Sequence, residues 1–175
     1  MYNYKPSGNC LTIAKHYEEC ATMLPDGRIQ SYWDELGKIW TIGWGSTFYA
    51  NGTPVKEGDI ITQAEADNLL TILMTGFGNQ VNQWIANTLN VTQQQFDGVT
   101  ELAYNVGPTN VKNSTLLKKM LADPADPRIV DEFHRWDIAN GKVNYGLLAR
   151  RHSDAFLYVY GTVRIFTAAE VTPTI

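Results

Sequence analysis

The sequence predicts an α+β fold: one helix, a small antiparallel sheet, then a longer helical bundle. Three observations lead there. Apolar residues recur at helical spacing from Asn9 to about Met23; Arg28 to Tyr49 is dense in Tyr, Trp, Ile and Gly; and from Thr62 onward two capping boxes open long periodic apolar runs. At 175 residues, 44% hydrophobic with five Trp and nine Tyr, the chain fits one domain able to bury its own core. Within residues 1–175 the expected layout is a β-rich lobe over about 25–60, helical segments over 10–24 and 61–160, an active-site cleft between sheet and bundle, and a C-terminal tail over 162–175.

The first helix takes Asn9 as a possible N-cap and presents Cys10, Ile13, Ala14, Tyr17, Cys20, Ala21 and Leu24 on one face. At about 100° per residue Glu18 falls beside Ala14 at the edge of that face, whereas Glu19 points away from it. Pro25-Asp26-Gly27 supplies turn chemistry that ends the helix. The Arg28–Tyr49 segment then reads as a hairpin sheet, closed by the Asn51-Gly52 turn signal.

Thr62-Gln63-Ala64-Glu65 caps a helix running through Leu69, Leu70, Leu73, Phe77, Val81 and Trp84, with Gly76 and Gly78 as points of bending or breakage. Thr92-Gln93-Gln94-Gln95 caps the next, which carries Phe96, Val99, Leu102, Ala103 and Val106 and which Gly107-Pro108 stops. Ser114–Leu121, Arg128–Trp136 and Leu147–Tyr160 read as three further helices, separated by Asp-Pro pairs and by Asn140-Gly141. Trp84 and Trp136 are expected in the core.

Several classes of function are disfavoured. The three histidines are scattered and no HExxH or CxxC occurs, so neither a metal nor a redox cofactor is expected. On one helix Cys10 and Cys20 would lie about 15 Å apart, against the roughly 7 Å limit of a disulfide, so both are read as free thiols of a reducing compartment. The N-terminal segment has no basic region followed by an apolar run of signal-peptide length, which points to a cytoplasmic chain. Residues 68 to 96 carry no charge, but Asn, Gln and Thr interrupt them too often for a membrane span. A net charge of −4 gives no nucleic-acid signature. Acidity is uneven: residues 1–100 hold five Lys/Arg against ten Asp/Glu, while 101–175 hold nine against eight.

The chemistry-bearing set is Glu18 on the helix edge, Asp34 in the hairpin, and Thr41 in Trp40-Thr41-Ile42-Gly43-Trp44-Gly45. Such a set suits glycoside hydrolysis. One carboxyl protonates the leaving oxygen, an ionised one activates water or attacks the anomeric carbon, and a hydroxyl holds the water. Tyr and Trp supply flat surfaces for sugar rings, and the glycines let the backbone approach a ligand. Trp33 and Trp44 are open between core and cleft, and Asn105 is open between a helix cap and a cleft residue.

Tyr17-Glu18-Glu19-Cys20, Tyr32-Trp33-Asp34 and Thr41 to Thr47 resemble the front half of the phage lysozymes of the T4 type, glycoside hydrolase family 24. Thr62 to Ala66, Gln95 to Gly98, Tyr104 to Gly107, Ser114 to Leu117, and Gly146-Leu147 followed by Arg150-Arg151 continue the resemblance in order, over roughly residues 10–160. It implies a lysozyme-like fold and a muramidase that cleaves the β-1,4 bond between N-acetylmuramic acid and N-acetylglucosamine, lysing bacteria. It further implies Glu18 as general acid, Asp34 as the residue acting on water, Thr41 beside it, and inversion at the anomeric centre. Trp44, Asn105, Arg150 and Arg151 are the expected substrate-binding residues. The partners implied are bacterial peptidoglycan and a holin-type pore that releases a monomeric enzyme from the host cytoplasm to the wall.

Glu19 is an alternative to Glu18, because the family usually has a small residue after its glutamate, and Glu35 is an alternative to Asp34, because the stretch from Asp34 to Thr41 is one residue longer than the family pattern. Ser46 stands where a histidine is common, so no role of that histidine carries over. Two other functions compete: a non-catalytic peptidoglycan-binding or virion module, and a lytic transglycosylase, which needs no water-activating carboxylate.

Overall fold

A computed structural model of the chain describes residues 2–18, 22–35 and 37–172. Its elements are α1 (Gly8–Glu18), β1 (Ile29–Gln30), β2 (Tyr32–Asp34), β3 (Ile39–Thr41), β4 (Ile60–Ile61), α2 (Gln63–Trp84), α3 (Gln93–Val106), α4 (Pro108–Lys112), α5 (Thr115–Ala122), α6 (Ile129–His134), β5 (Ile138–Ala139), β6 (Lys142–Val143) and α7 (Tyr145–Tyr160). The α+β expectation is met. Residues 15–75 form one compact unit, and the residues up to 14 together with those from 76 onward form another.

In the first unit β1 pairs antiparallel with β4, and β2 with β3. Ile29, Ile42, Val55, Ile61, Ala66 and Leu69 make its core, with Trp40, Trp44 and Tyr49 packed at the margin. The Thr62 capping box forms as read: Thr62 N donates to Glu65 Oε2 at 2.8 Å and Glu65 N to Thr62 Oγ1 at 3.2 Å. The first helix ends earlier than its apolar periodicity predicts, since Thr22 has φ +69° and Met23 forms an antiparallel bridge with Ile29. Backbone pairing to Ile29 takes Met23 out of the helical run. Glu19, Cys20 and Ala21 lie outside the described residues, so the expectations for Glu19 and Cys20 stop at the sequence.

The second unit is helical. Its core runs from Val81 and Ile85 through Phe96, Val99 and Leu102 to Phe133, Ala155 and Tyr158, and Trp84 and Trp136 pack against it. Cys10, Ile13 and Ala14 are buried, so α1 turns the expected face inward. Thr92 and Gln95 form a full capping box, and Gly107, at φ +90°, closes α3. Pro108 does more than stop that helix: it occupies the first turn of α4, where a missing N–H costs nothing. Asn140-Gly141 is likewise more than a separator. Both residues have positive φ, the signature of a tight hairpin turn, and they join β5 to β6.

Gly76 and Gly78 do not interrupt α2. A Cβ on Gly78 would lie 2.9 Å from Phe96 Cζ and 3.3 Å from Pro6 Cδ, whereas one on Gly76 would meet nothing within 4 Å. One glycine is required by packing, the other is not.

The histidines are not all scattered. His134 of α6 and His152 of α7 stack with ring centroids 3.8 Å apart, and Phe166 of the tail lies 5.5 Å from His152. Burial lowers the His134 pKa to about 4, assisted by His152 and opposed by Asp131. Burial also lowers that of His152. The tail is therefore seated on α7, where Phe166 N donates to the buried Ser153 Oγ at 3.1 Å.

Two predictions follow from these contacts. Gly76→Ala gains about 0.5–1 kcal/mol of helix propensity, while Gly78→Ala overpacks Phe96 at a cost of about 1–3 kcal/mol that exceeds the same gain; urea denaturation reads both. His134 binds a proton more weakly folded than unfolded, so its contribution is present above about pH 6.5 and is lost as pH falls through about 4. His134→Gln is therefore expected to flatten the fall of Tm between pH 7 and 4 relative to wild type.

Candidate active site

The three-residue ladder of β2 and β3 determines which side chains meet. Tyr32 is paired with Thr41, Trp33 with Trp40, and Asp34 with Ile39. Because side chains alternate along a strand and directly opposed residues share a face, Tyr32, Asp34, Ile39 and Thr41 stand on one face. Trp33 and Trp40 stand on the other, their rings in edge contact at 5.5 Å. Asp34 and Thr41 are thus diagonal neighbours, a separation of about 7–8 Å.

Asp34 is half-buried and Thr41 is buried, with 4% of its surface exposed. Thr41 Oγ1 lies 3.4 Å from Ile39 O, a long contact. The Asp34 carboxylate lies back over the turn: a Cβ on Gly37 would come within 2.9 Å of Asp34 Oδ2. Any side chain at 37 would displace it. Glu35 sits on that turn and is exposed. It lies one residue beyond the end of β2 and outside the ladder that places Asp34 and Thr41 on one face.

After Thr41 the chain makes a closed loop. Ile42 and Ser46 exchange backbone hydrogen bonds of 2.8 and 3.0 Å, and between them Gly43 and Gly45 take φ of +62° and +94°, which side-chain-bearing residues rarely adopt. Trp44 at the tip donates its Nε1–H to Asp67 Oδ1 at 2.8 Å. Asp67 also accepts from Gln63 Nε2 at 3.0 Å and pairs with Lys15 Nζ at 2.7 Å. Partial burial would raise the Asp67 pKa, but the hydrogen bonds from Lys15, Trp44 and Gln63 hold it below the usual carboxylate value. Sequence reading missed Asp67 and Lys15. Their one signal was spacing: Asp67 lies four residues after Gln63, and Lys15 three before Glu18, each one helical turn away. Glu18 is the last residue of α1 and is half-buried.

Glu18, Asp34, Thr41 and Trp44 thus belong to the unit of residues 15–75, and Asn105, Arg150 and Arg151 to the other. Asn105 is half-buried in the last turn of α3, and the capping position falls on Gly107 instead. Arg150 and Arg151 converge on Glu101. Arg150 Nε donates to Glu101 Oε1 at 2.8 Å, and Arg151 Nη2 to Oε2 at 3.3 Å. Arg151 Nε also lies 3.0 Å from Asp154 Oδ2, a charge pairing without hydrogen-bond alignment.

Arg151 has no exposed surface. Its guanidinium is held inside the core by the buried acids Glu101 and Asp154, and Arg150, 4% exposed, is likewise turned to Glu101. Burial and the charge of Glu101 push the Asp154 pKa well up, with Arg151 only partly offsetting them. In Glu101 the same burial is overcome by Arg150 and Arg151, which hold its carboxyl low. Among the described residues no group of three His, Cys, Asp or Glu is arranged to hold a metal ion.

Known proteins resemble the chain in sequence and in fold. The phage lysozyme family matches residues 26–154, a stretch containing Asp34, Thr41 and Trp44 but beginning after Glu18. The endolysin of Bacillus phage PZA is 34% identical over 140 residues, 78% of this chain and 52% of that protein, so the chain spans about half of that relative's length. The endolysin of Acyrthosiphon pisum secondary endosymbiont phage 1 is 32% identical over 152 residues, 85% of this chain and 93% of that one. Among solved structures, the endolysin from Escherichia coli O157:H7 phage FAHEc1 superposes with a TM-score of 0.78 at 27% identity, covering 93% of this chain and 98% of its own.

The buried charges yield a test of their own. Arg151→Met leaves Glu101 and Asp154 short of a cation inside the core and is expected to cost about 3–5 kcal/mol of stability, read by chemical denaturation.

Proposed function

The chain belongs to the phage lysozyme family and has its α+β fold, and on that premise we propose that it is an endolysin-type muramidase. It cleaves the β-1,4 bond between N-acetylmuramic acid and N-acetylglucosamine in bacterial peptidoglycan. The observation that carries the reading is the hairpin register, which puts Asp34 and Thr41 on one face as diagonal neighbours. A carboxylate and a hydroxyl so disposed can hold one water between them.

In this reading Glu18, protonated, gives its proton to the departing glycosidic oxygen. Asp34, ionised, takes a proton from the water that Thr41 helps to orient, and that water attacks the anomeric carbon from the opposite face. The configuration inverts, which calls for carboxyls about 6.5–9.5 Å apart. Glu18 supports its role by position, as the half-buried last residue of α1 in the same unit as Asp34 and Thr41. Trp44 offers an indole face to a sugar ring. The enzyme works as a monomer and reaches the wall from the host cytoplasm through a holin-type pore. No helix among the described residues is long and apolar enough to cross a membrane.

Turbidity loss of outer-membrane-permeabilised Gram-negative cells tests the assignment. Glu18→Gln and Asp34→Asn are expected to fold, by circular dichroism, yet lose at least about 10²-fold in rate, while Glu19→Gln and Glu35→Gln retain most of it. Reducing ends should appear in the digest. Anhydro-muramyl products would point to a transglycosylase, and binding to insoluble peptidoglycan without any cleavage would replace the enzyme with a wall-binding module.

A further inference from the structure

We infer that Asp67 is a positioning residue for substrate binding, orienting the Trp44 indole on which a sugar ring stacks. The inference rests on the muramidase reading and adds to it a residue that acts through another. The loop from Ile42 to Ser46 lies directly against the start of α2: a Cβ on Gly43 would come within 3.0 Å of Ala66 Cβ. The next residue in each segment makes the next contact, Trp44 Nε1 to Asp67 Oδ1 at 2.8 Å. Backbone and side chain of the loop are therefore docked on α2 at consecutive positions.

Asp67 is suited to this task by its acceptors. Oδ1 takes Trp44 and Gln63, and Oδ2 takes the Lys15 ammonium at 2.7 Å, so neither oxygen can swing away without losing a donor. Lys15 Nζ also lies 5.9 Å from the centroid of the Trp44 ring, which gives the indole a second restraint. Trp44 has only two side-chain torsions, and a charged acceptor at Nε1 together with a cation beside the ring leaves little freedom in either. The ring remains half-exposed, so a flat apolar surface is presented in a set orientation. A ligand that stacks there does not have to order the ring first, and that saving appears in binding.

The test compares wild type, Asp67→Ala, Asp67→Asn, Trp44→Phe and the Asp67→Ala/Trp44→Phe double variant on soluble, uncross-linked peptidoglycan glycan strands. Asp67→Ala should raise KM about five-fold with kcat changed by less than about two-fold. Asp67→Asn keeps an oxygen to accept from Nε1 and should recover most of that loss. The double variant should bind no worse than Trp44→Phe. In the ¹H–¹⁵N spectrum the Trp44 indole N–H, identified by its absence from Trp44→Phe, should exchange faster with solvent in Asp67→Ala.

An unchanged KM in Asp67→Ala, or additive losses in the double variant, would overturn the inference. If wild type cleaves nothing, the muramidase reading fails separately, and equilibrium binding of the same proteins to insoluble peptidoglycan takes the place of KM. Weaker binding by Asp67→Ala then upholds the positioning role, and equal binding removes it.

Discussion

The pairing of Tyr32 with Thr41, Trp33 with Trp40 and Asp34 with Ile39 is the constraint on which the proposed chemistry depends. A ladder of three residues has no redundancy, and a slip of one residue would reverse both faces at once. Asp34 and Thr41 would then fall on opposite faces, and Trp33 and Trp40 would lose each other in the same way. The register is held from three sides. Trp33 and Trp40 touch across the strands, Gly37 leaves room for the Asp34 carboxylate at the turn, and the closed loop from Ile42 to Ser46 anchors the end of β3 to α2.

Burial and exposure divide the polar groups by task. In the unit formed by residues 15–75, Glu18, Asp34 and Trp44 are partly exposed, and Thr41 alone of the proposed groups there is buried. The other unit carries its charges inside: Glu101, Arg150, Arg151 and Asp154 are each at most 4% exposed and lie on α3 and α7, the two helices that bracket its core. Such a network adds little net stability over an apolar core, because desolvation consumes most of the attraction, but it strongly penalises any arrangement that separates its members. Its effect is to select one packing of α3 against α7.

Much of the fold was legible because helices and turns are encoded locally. Both capping boxes, the Gly107 stop, and the inward turn of Cys10, Ile13 and Ala14 on α1 are properties of a few neighbouring residues, and these form as the sequence predicts. The sequence was less informative where a local signal competes with a distant partner. The apolar spacing around Cys20 and Leu24 favours more helix, yet Met23 pairs with Ile29. Asn140-Gly141 was legible as a turn but not as a hairpin, since β5 and β6 have two residues each and no alternating pattern to detect. For the site, the residue types of Glu18, Asp34, Thr41 and Trp44 could be picked out. Asp67 could not, because it looks like any solvated acid in the first turns of a helix.

The sequence alone therefore determined the α+β class, the order of the longer helices, the ends of most of them and the identity of the residues proposed for chemistry. These follow from short-range periodicity and turn preferences, which a linear chain displays directly. Tertiary structure alone decided the shared face of Asp34 and Thr41, the withdrawal of Arg151 into the core, the stacking of His134 on His152, and the hold of Asp67 on Trp44. Each of these depends on strand register or on contacts between residues at least 18 apart in sequence, as His134 and His152 are, and such contacts leave no periodic trace in the order of the amino acids.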